Sequence, residues 1–294
     1  MKPRVNRVIG EEDAARNERP FIVFLHIHKC AGLSFKRILR RQFGPSFGKR
    51  IVNRMHGVRP KPLRAALADV KGSQVYFAGH FGYGVHELLP SPVRYVTFLR
   101  DPVQRLLSLY DYSKRTPQSF YHSHATNVSF EEFVSNGDVF ETDNGMTRFL
   151  IGDLARTDYY ICRKPIGSLT EVDLQLAIEN LERHFVTPGI TERFDESLVA
   201  ISDDLALPCA CYLRLNESQL ASQTKSSWNG KLEPFVSLDR RLFEWANRKL
   251  DEAKISQPSF EAKVEDFKLS NARHQRRYQG YYDAYQSFMN RLRS

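Results

Sequence analysis

The sequence predicts an α/β protein, a P-loop-like three-layer fold whose central, mostly parallel sheet is flanked by helices. Three observations carry this prediction. The runs FIVFLHI (21–27), SQVYFAGHF (73–81) and PVRYVTFLRDP (92–102) are short and almost continuously apolar, the make-up of strands buried on both faces rather than of half-exposed ones. Segments of helical period follow them, and strands alternating with helices imply parallel pairing through crossovers. Each of the three runs also ends in a polar cluster, at His28-Lys29, Gly79-His80 and Arg100-Asp101. In open sheets of this kind, ligands gather beyond the carboxyl ends of the strands.

The elements follow in order. Residues 1–19 are polar and of mixed charge, and read as a flexible N-terminal arm. After the 21–27 strand, SFKRILRRQF (34–43) places Phe35, Ile38, Leu39 and Phe43 at helical spacing, with Ser34 as its N-cap. PKPLRAALADV (60–70) reads as a helix opened by proline. Pro102 suits the first turn of a helix over 103–115. Ser129 with Glu132 three residues later has the form of a capping box. LTEVDLQLAIENLERHF (169–185) is the clearest amphipathic helix. Residues 185–205 read as strand, turn and helix, and 238–255 as a further helix. The expected division is one domain over 20–255 and a polar helical tail over 256–294. No internal repeat or low-complexity tract interrupts it.

With 294 residues, 41% of them hydrophobic and 20 of them Phe, the chain can bury a sizeable core. No apolar stretch approaches the ~20 residues that span a bilayer, and the first residues lack the apolar stretch of a signal peptide. The expectation is a cytoplasmic protein, or a Golgi-lumenal one if the sequence is a trimmed piece of an anchored chain. Cys30, Cys162, Cys209 and Cys211 have no zinc spacing, so they read as structural thiols and no metal is expected. The net charge of +9 is unevenly spread: from Arg19 to Ala68 there are eight Arg, four Lys and no acid, so this segment carries +12 and the remainder −3. Such a field favours an anionic ligand.

The loop between the first strand and its helix is where that anion would sit. First-turn amides of a helix have no internal acceptors and, with the helix dipole, form an anion site. Ala31 and Gly32 let a phosphate approach the backbone, Ser34 supplies a hydroxyl and Lys29 a full charge. The patterns GxxxxGK[ST] and GxGxxG are both absent, which argues against an ordinary nucleotide triphosphatase or dinucleotide binder. Arg100, with its planar fork of donors, and Ser108 on the following helix form a second candidate clamp.

FLHIHKCAGLSF and FLRDPVQRLLSLY resemble the 5′-phosphosulfate loop and the 3′-phosphate motif of carbohydrate sulfotransferases that use 3′-phosphoadenylyl sulfate (PAPS). The group includes heparan-sulfate 2-O- and 6-O- and chondroitin-type enzymes and their bacterial relatives. FAGHFGYGVHE (77–87), TDNGMTRFLIG (142–152), GITERFDESL (189–198) and LFEWANRKL (242–250) resemble further family segments in the same order. The resemblance implies that Lys29 neutralises the phosphosulfate. Backbone amides of Cys30, Ala31, Gly32, Leu33 and Ser34, with the Ser34 hydroxyl, would hold the 5′-phosphate. Arg100 and Ser108 would hold the 3′-phosphate. The family more often has proline at His28, threonine at Cys30 and a hydroxyl residue at Leu33.

Sulfuryl transfer then requires an in-line displacement with charge building on the leaving oxygen, and a base for the acceptor hydroxyl. His80 is chosen as that base, with His86 in reserve. Asn144 and Arg148 are candidate contacts to an acidic sugar, a buried Arg–carboxylate pair being the other reading. The implied partners are the nucleotide donor and a hydroxylated glycan, with no nucleic acid and no transmembrane segment. A non-catalytic basic module for polysaccharide or nucleic acid is the alternative.

Overall fold

The computed structural model describes residues 21–44, 48–51, 76–89, 92–152, 161–213 and 230–291. In chain order these form β1 (Phe21–Leu25), α1 (Gly32–Phe43), β2 (Gly48–Ile51), β3 (Tyr76–Gly79), β4 (Val93–Val96), β5 (Phe98–Leu99) and α2 (Pro102–Arg115). There follow α3 (His122–Ala125), α4 (Phe130–Ser135), α5 (Gly145–Leu150), α6 (Glu171–His184), β6 (Gly189–Ile190), α7 (Phe194–Asp204), α8 (Glu233–Ser256) and α9 (Phe260–Arg291). The N-terminal arm and the helix expected over 60–70 lie outside the described residues.

The architecture is mixed α/β, with a small parallel sheet and many helices. Four strands pair in the order β2-β3-β1-β4, every pair parallel, with Leu25 opposite Gly79 and Phe24 opposite Val96. β4 passes through Thr97 into β5, which pairs in parallel with β6. Thr97 ties the two sheets, its hydroxyl donating to Leu25 O at 2.9 Å while its carbonyl accepts from Gly189 N. β1 runs centrally, so Val23, Phe24 and Leu25 are fully buried, which is why this segment reads as continuously apolar. Phe24 meets Phe35 of α1 edge-on at 4.8 Å.

Helix ends show how local the folding instructions are. Asp101 caps α2 by accepting from Gln104 N at 2.9 Å, and Pro102 occupies the first helical position. The Ser129–Glu132 capping box forms as expected, with bonds of 3.2 and 2.7 Å. α1 departs from expectation. It begins at Gly32, preceded by Ala31 in the left-handed region, and no side chain caps it. Ser34 is therefore not the N-cap, because the chain turns into the helix earlier, through left-handed Lys29 (φ 67°) and Ala31 (φ 52°).

The main core joins the sheet to α1, α6, α7 and α8, and Phe260, Val264 and Phe267 of α9 belong to it. A smaller apolar cluster around Val103, Leu106, Tyr121, Phe133 and Val236 holds α2 to α3, α4 and the start of α8. α2 belongs to this second cluster, and its Tyr112 meets Lys29 of the loop after β1.

Candidate active site

The loop from His28 to Ala31 leaves the carboxyl end of β1 through two non-glycine residues of positive φ, a conformation seldom held unless surroundings enforce it. Part of that enforcement is visible: Arg100 Nη1 donates to Lys29 O at 3.0 Å. The two motifs, 71 residues apart, therefore touch. The Lys29 ammonium lies 4.2 Å from the centroid of the Tyr112 ring, a cation–π contact. Burial, then the Arg100 and Arg115 charges, push Lys29 down to about 8, partly countered by Asp111. Arg100 Nε is buried without a hydrogen-bond partner, with Glu192 Oε1 3.9 Å away. Ser108 is buried on α2, one turn before Tyr112 and so on the same face.

Gly32 has a different reason to be small from the one its sequence suggests. A Cβ there would lie inside the His26 imidazole, so the missing side chain makes room for a histidine and not only for a ligand. Cys30 is fully buried and its thiol is pushed by burial up to about 12; its amide already donates to Ile27 O at 3.4 Å. Leu33 is exposed at the mouth of the loop.

Behind the loop, three imidazoles stack. His80, immediately after β3, lies between His26 at 4.1 Å and His28 at 3.6 Å, the latter nearly parallel at 15°. Burial, then His28 and His26, hold its pKa well below the usual histidine value, so it is neutral at pH 7. His80 Nδ1 is 2.7 Å from His26 O. A carbonyl only accepts, so Nδ1 carries the proton and Nε2 keeps its lone pair. His28 Nδ1 lies 2.8 Å from Glu141 Oε1.

The remaining expected residues stand elsewhere. His86 binds the Tyr95 hydroxyl through its backbone N at 2.8 Å and its ring at 3.1 Å, and stacks on His184 at 4.4 Å. It belongs to an aromatic cluster with Tyr83, not to the His80 stack. Asn144 and Arg148 are buried. Asn144 Oδ1 accepts from Leu238 N and Asp239 N at 2.9 and 3.1 Å. Arg148 pairs with Asp143 and donates to the carbonyls of Cys162, Lys164 and Pro165. With its guanidinium enclosed and committed, Arg148 does not reach a sugar; the sequence reading of a buried Arg–carboxylate pair is the one that holds. Sequence reasoning missed Glu141, Arg105 and Tyr112. Only Tyr112 had a signal, its one-turn spacing from Ser108.

Among the described residues no group of three His, Cys, Asp or Glu side chains is placed to hold a metal ion, and no helix is long and apolar enough to cross a membrane. The family model for galactose-3-O-sulfotransferases matches residues 8–280. Human galactose-3-O-sulfotransferase 2 is 27% identical over 245 residues, covering 78% of this chain and 60% of the human protein. These matches overturn the expectation of a cytoplasmic protein. Because the chain aligns with only part of its human relative, the polar residues at its start decide nothing about compartment. Matched over nearly its whole length, the chain belongs to the galactose-3-O-sulfotransferase family, a family of carbohydrate sulfotransferases.

Proposed function

We propose that the protein transfers a sulfuryl group from PAPS to a galactose hydroxyl of a glycan, on a P-loop-like scaffold. The observation that carries this is the Arg100–Lys29 hydrogen bond, which brings the two candidate anion-binding motifs into contact. The residues fit the donor. Uncapped first-turn amides of α1 and the Ser34 hydroxyl suit the 5′-phosphate, with Lys29 beside it. The orphaned Arg100 Nε, together with Ser108, suits the 3′-phosphate. A mainly apolar cavity of about 360 Å³, bounded by Ser34, Arg37, Ile38, Arg41, Tyr212 and Leu213, shares Ser34 with this site and has the size for a purine riboside.

The donor supplies sulfuryl already activated on a phosphate. Lys29 holds positive charge where negative charge grows as sulfuryl departs. His80 Nε2 is the atom that takes the acceptor's proton. Membership of a galactose-3-O-sulfotransferase family supports galactose as the acceptor. A merely binding, basic module gains nothing from a half-buried neutral histidine beside the loop.

Calorimetric titration with adenosine 3′,5′-bisphosphate and with 5′-AMP tests the donor assignment. The wild type should prefer the bisphosphate by roughly 10- to 100-fold, the worth of one to two charge-assisted contacts, and Arg100→Ala should erase most of that preference. Equal binding of both nucleotides by the wild type would overturn it.

A further inference from the structure

Glu141 lies behind the loop on a short turn over Phe140–Thr142, and its side chain has no exposure. It is nonetheless ionised. Burial opposes the charge, but the nearby His28 and Arg105 charges and bonds from His28 and Tyr121 hold its pKa below the usual glutamate value. The groups facing it come from separate parts of the chain. Oε1 meets His28 Nδ1 at 2.8 Å and the Tyr121 hydroxyl at 3.1 Å, and Oε2 faces Arg105 Nη1 at 3.5 Å. Arg105 Nη2 also donates to the Glu141 carbonyl. Burying an ion set of this kind is costly, and apolar residues of equal volume would pack the space as well or better.

We infer that Glu141 is a positioning residue of the transfer step: through His28 it fixes the ring against which the base His80 is stacked. A carboxylate 2.8 Å from Nδ1 can only accept, so it places the His28 proton on Nδ1, and it fixes the ring by this close charged contact, which is bent away from hydrogen-bond geometry. The pinned ring lies parallel to His80 at 3.6 Å, and His80 is held from its far side by the His26 carbonyl. When His80 Nε2 takes the acceptor's proton, the new positive charge has the Glu141 carboxylate one imidazole away. The other titratable and charged groups facing the stack are His26, Arg105, Tyr121 and Lys36. The arrangement follows the logic by which a buried carboxylate orients a histidine base and steadies its imidazolium, with a second imidazole interposed. The inference rests on His80 as the base.

The test compares wild type, Glu141→Gln, Glu141→Gln with Arg105→Gln, and His80→Ala, measuring kcat and donor KM for transfer to a galactoside across pH. Glu141→Gln should lower kcat about 10- to 100-fold, the size of loss found when the outer partner that orients a metal-bound histidine is removed. Donor KM should stay within about two-fold, and the acid limb of the kcat profile should move to lower pH. The double variant removes the stranded guanidinium and should remain slow. Wild-type kcat in the double variant would assign the loss to that guanidinium and overturn the inference. An unchanged Glu141→Gln beside an inactive His80→Ala would overturn it while leaving the base reading intact; an active His80→Ala would overturn the base itself. Nitrogen-15 NMR of the histidines in the wild-type protein adds a readout independent of activity and of any variant's folding. His28 should carry its proton on Nδ1, and a proton on Nε2 alone would overturn the inference.

Discussion

Lys29→Met separates the folding cost of this site from its use. The lysine falls from the ordinary 10.5 to about 8. Between those values the unfolded chain holds the proton and the folded chain does not, so stability from this group rises with pH there. Below about pH 8 both states hold it, and the folded state bears the full cost of a partly desolvated ammonium beside Arg100 and Arg115. At about 1.4 kcal/mol per pH unit the drop corresponds to about 3 kcal/mol. The side chain keeps some contact with water, and screening reduces this to about 1–2 kcal/mol. Lys29→Met keeps the aliphatic stem and should therefore be more stable than wild type at pH 7 by about 1–2 kcal/mol, or ~2–4 °C in Tm for a domain of this size, while losing donor affinity. The assay is urea unfolding of both proteins at pH 7 and pH 9.5, extrapolated linearly. Their difference should shrink at the higher pH. A variant less stable than wild type at pH 7, or a difference that ignores pH, would refute the reasoning.

Two further substitutions test the frame around the site. Arg148→Ala strands the buried Asp143 carboxylate and removes donors to three carbonyls; it should destabilise by about 3–5 kcal/mol in urea unfolding. A stable Arg148→Ala protein with only a raised acceptor KM would restore a sugar-binding role. Gly32→Ala should destabilise by about 1–3 kcal/mol through overpacking against His26, and His26→Ala in the same chain should relieve most of that. Additive effects in a double-mutant cycle would show that the ring is not what the glycine accommodates.

What the sequence could and could not reveal follows the range of the forces involved. Capping at Ser129 is decided within four residues and was legible, as was Pro102 in the first turn of α2, whereas the Asp101 cap itself was not read. The apolar faces of α1 and β1 were legible because periodicity is a local record of burial. The convergence of Lys29 and Arg100 could be expected from strand ends sharing one edge of a parallel sheet, although the hydrogen bond joining them could not. Glu141 and Arg105 left no trace, since a buried ion pair across 36 residues has no spacing rule. Gly32 illustrates a subtler failure: its small size was read from the loop outward, whereas the ring that requires it arrives from the end of β1 beneath. The four-residue β2, Gly48–Ile51, was illegible because GKRI has neither the length nor the apolar continuity of the other strands.

The acids around the cleft give its basic residues a common logic. Asp111 pairs with Arg115, Glu192 stands 3.9 Å from Arg100, and Glu141 lies between Arg105 and His28. These pairings are unequal. Glu141 is fully enclosed and held from three sides, whereas Glu192 is half-open, and burial raises its pKa despite the nearby Arg100 charge. At 3.9 Å it makes no hydrogen bond with the guanidinium it faces, accepting instead from Asp101 N at 3.1 Å; under the proposed function an arriving phosphate would compete with it for Arg100. The tightly paired carboxylate lies on the histidine side of the loop and the loosely paired one on the Arg100 side. Under the proposed function, rigidity is thus concentrated where a proton would be taken in a fixed direction, and looser pairing where an anion would enter and leave in every turnover.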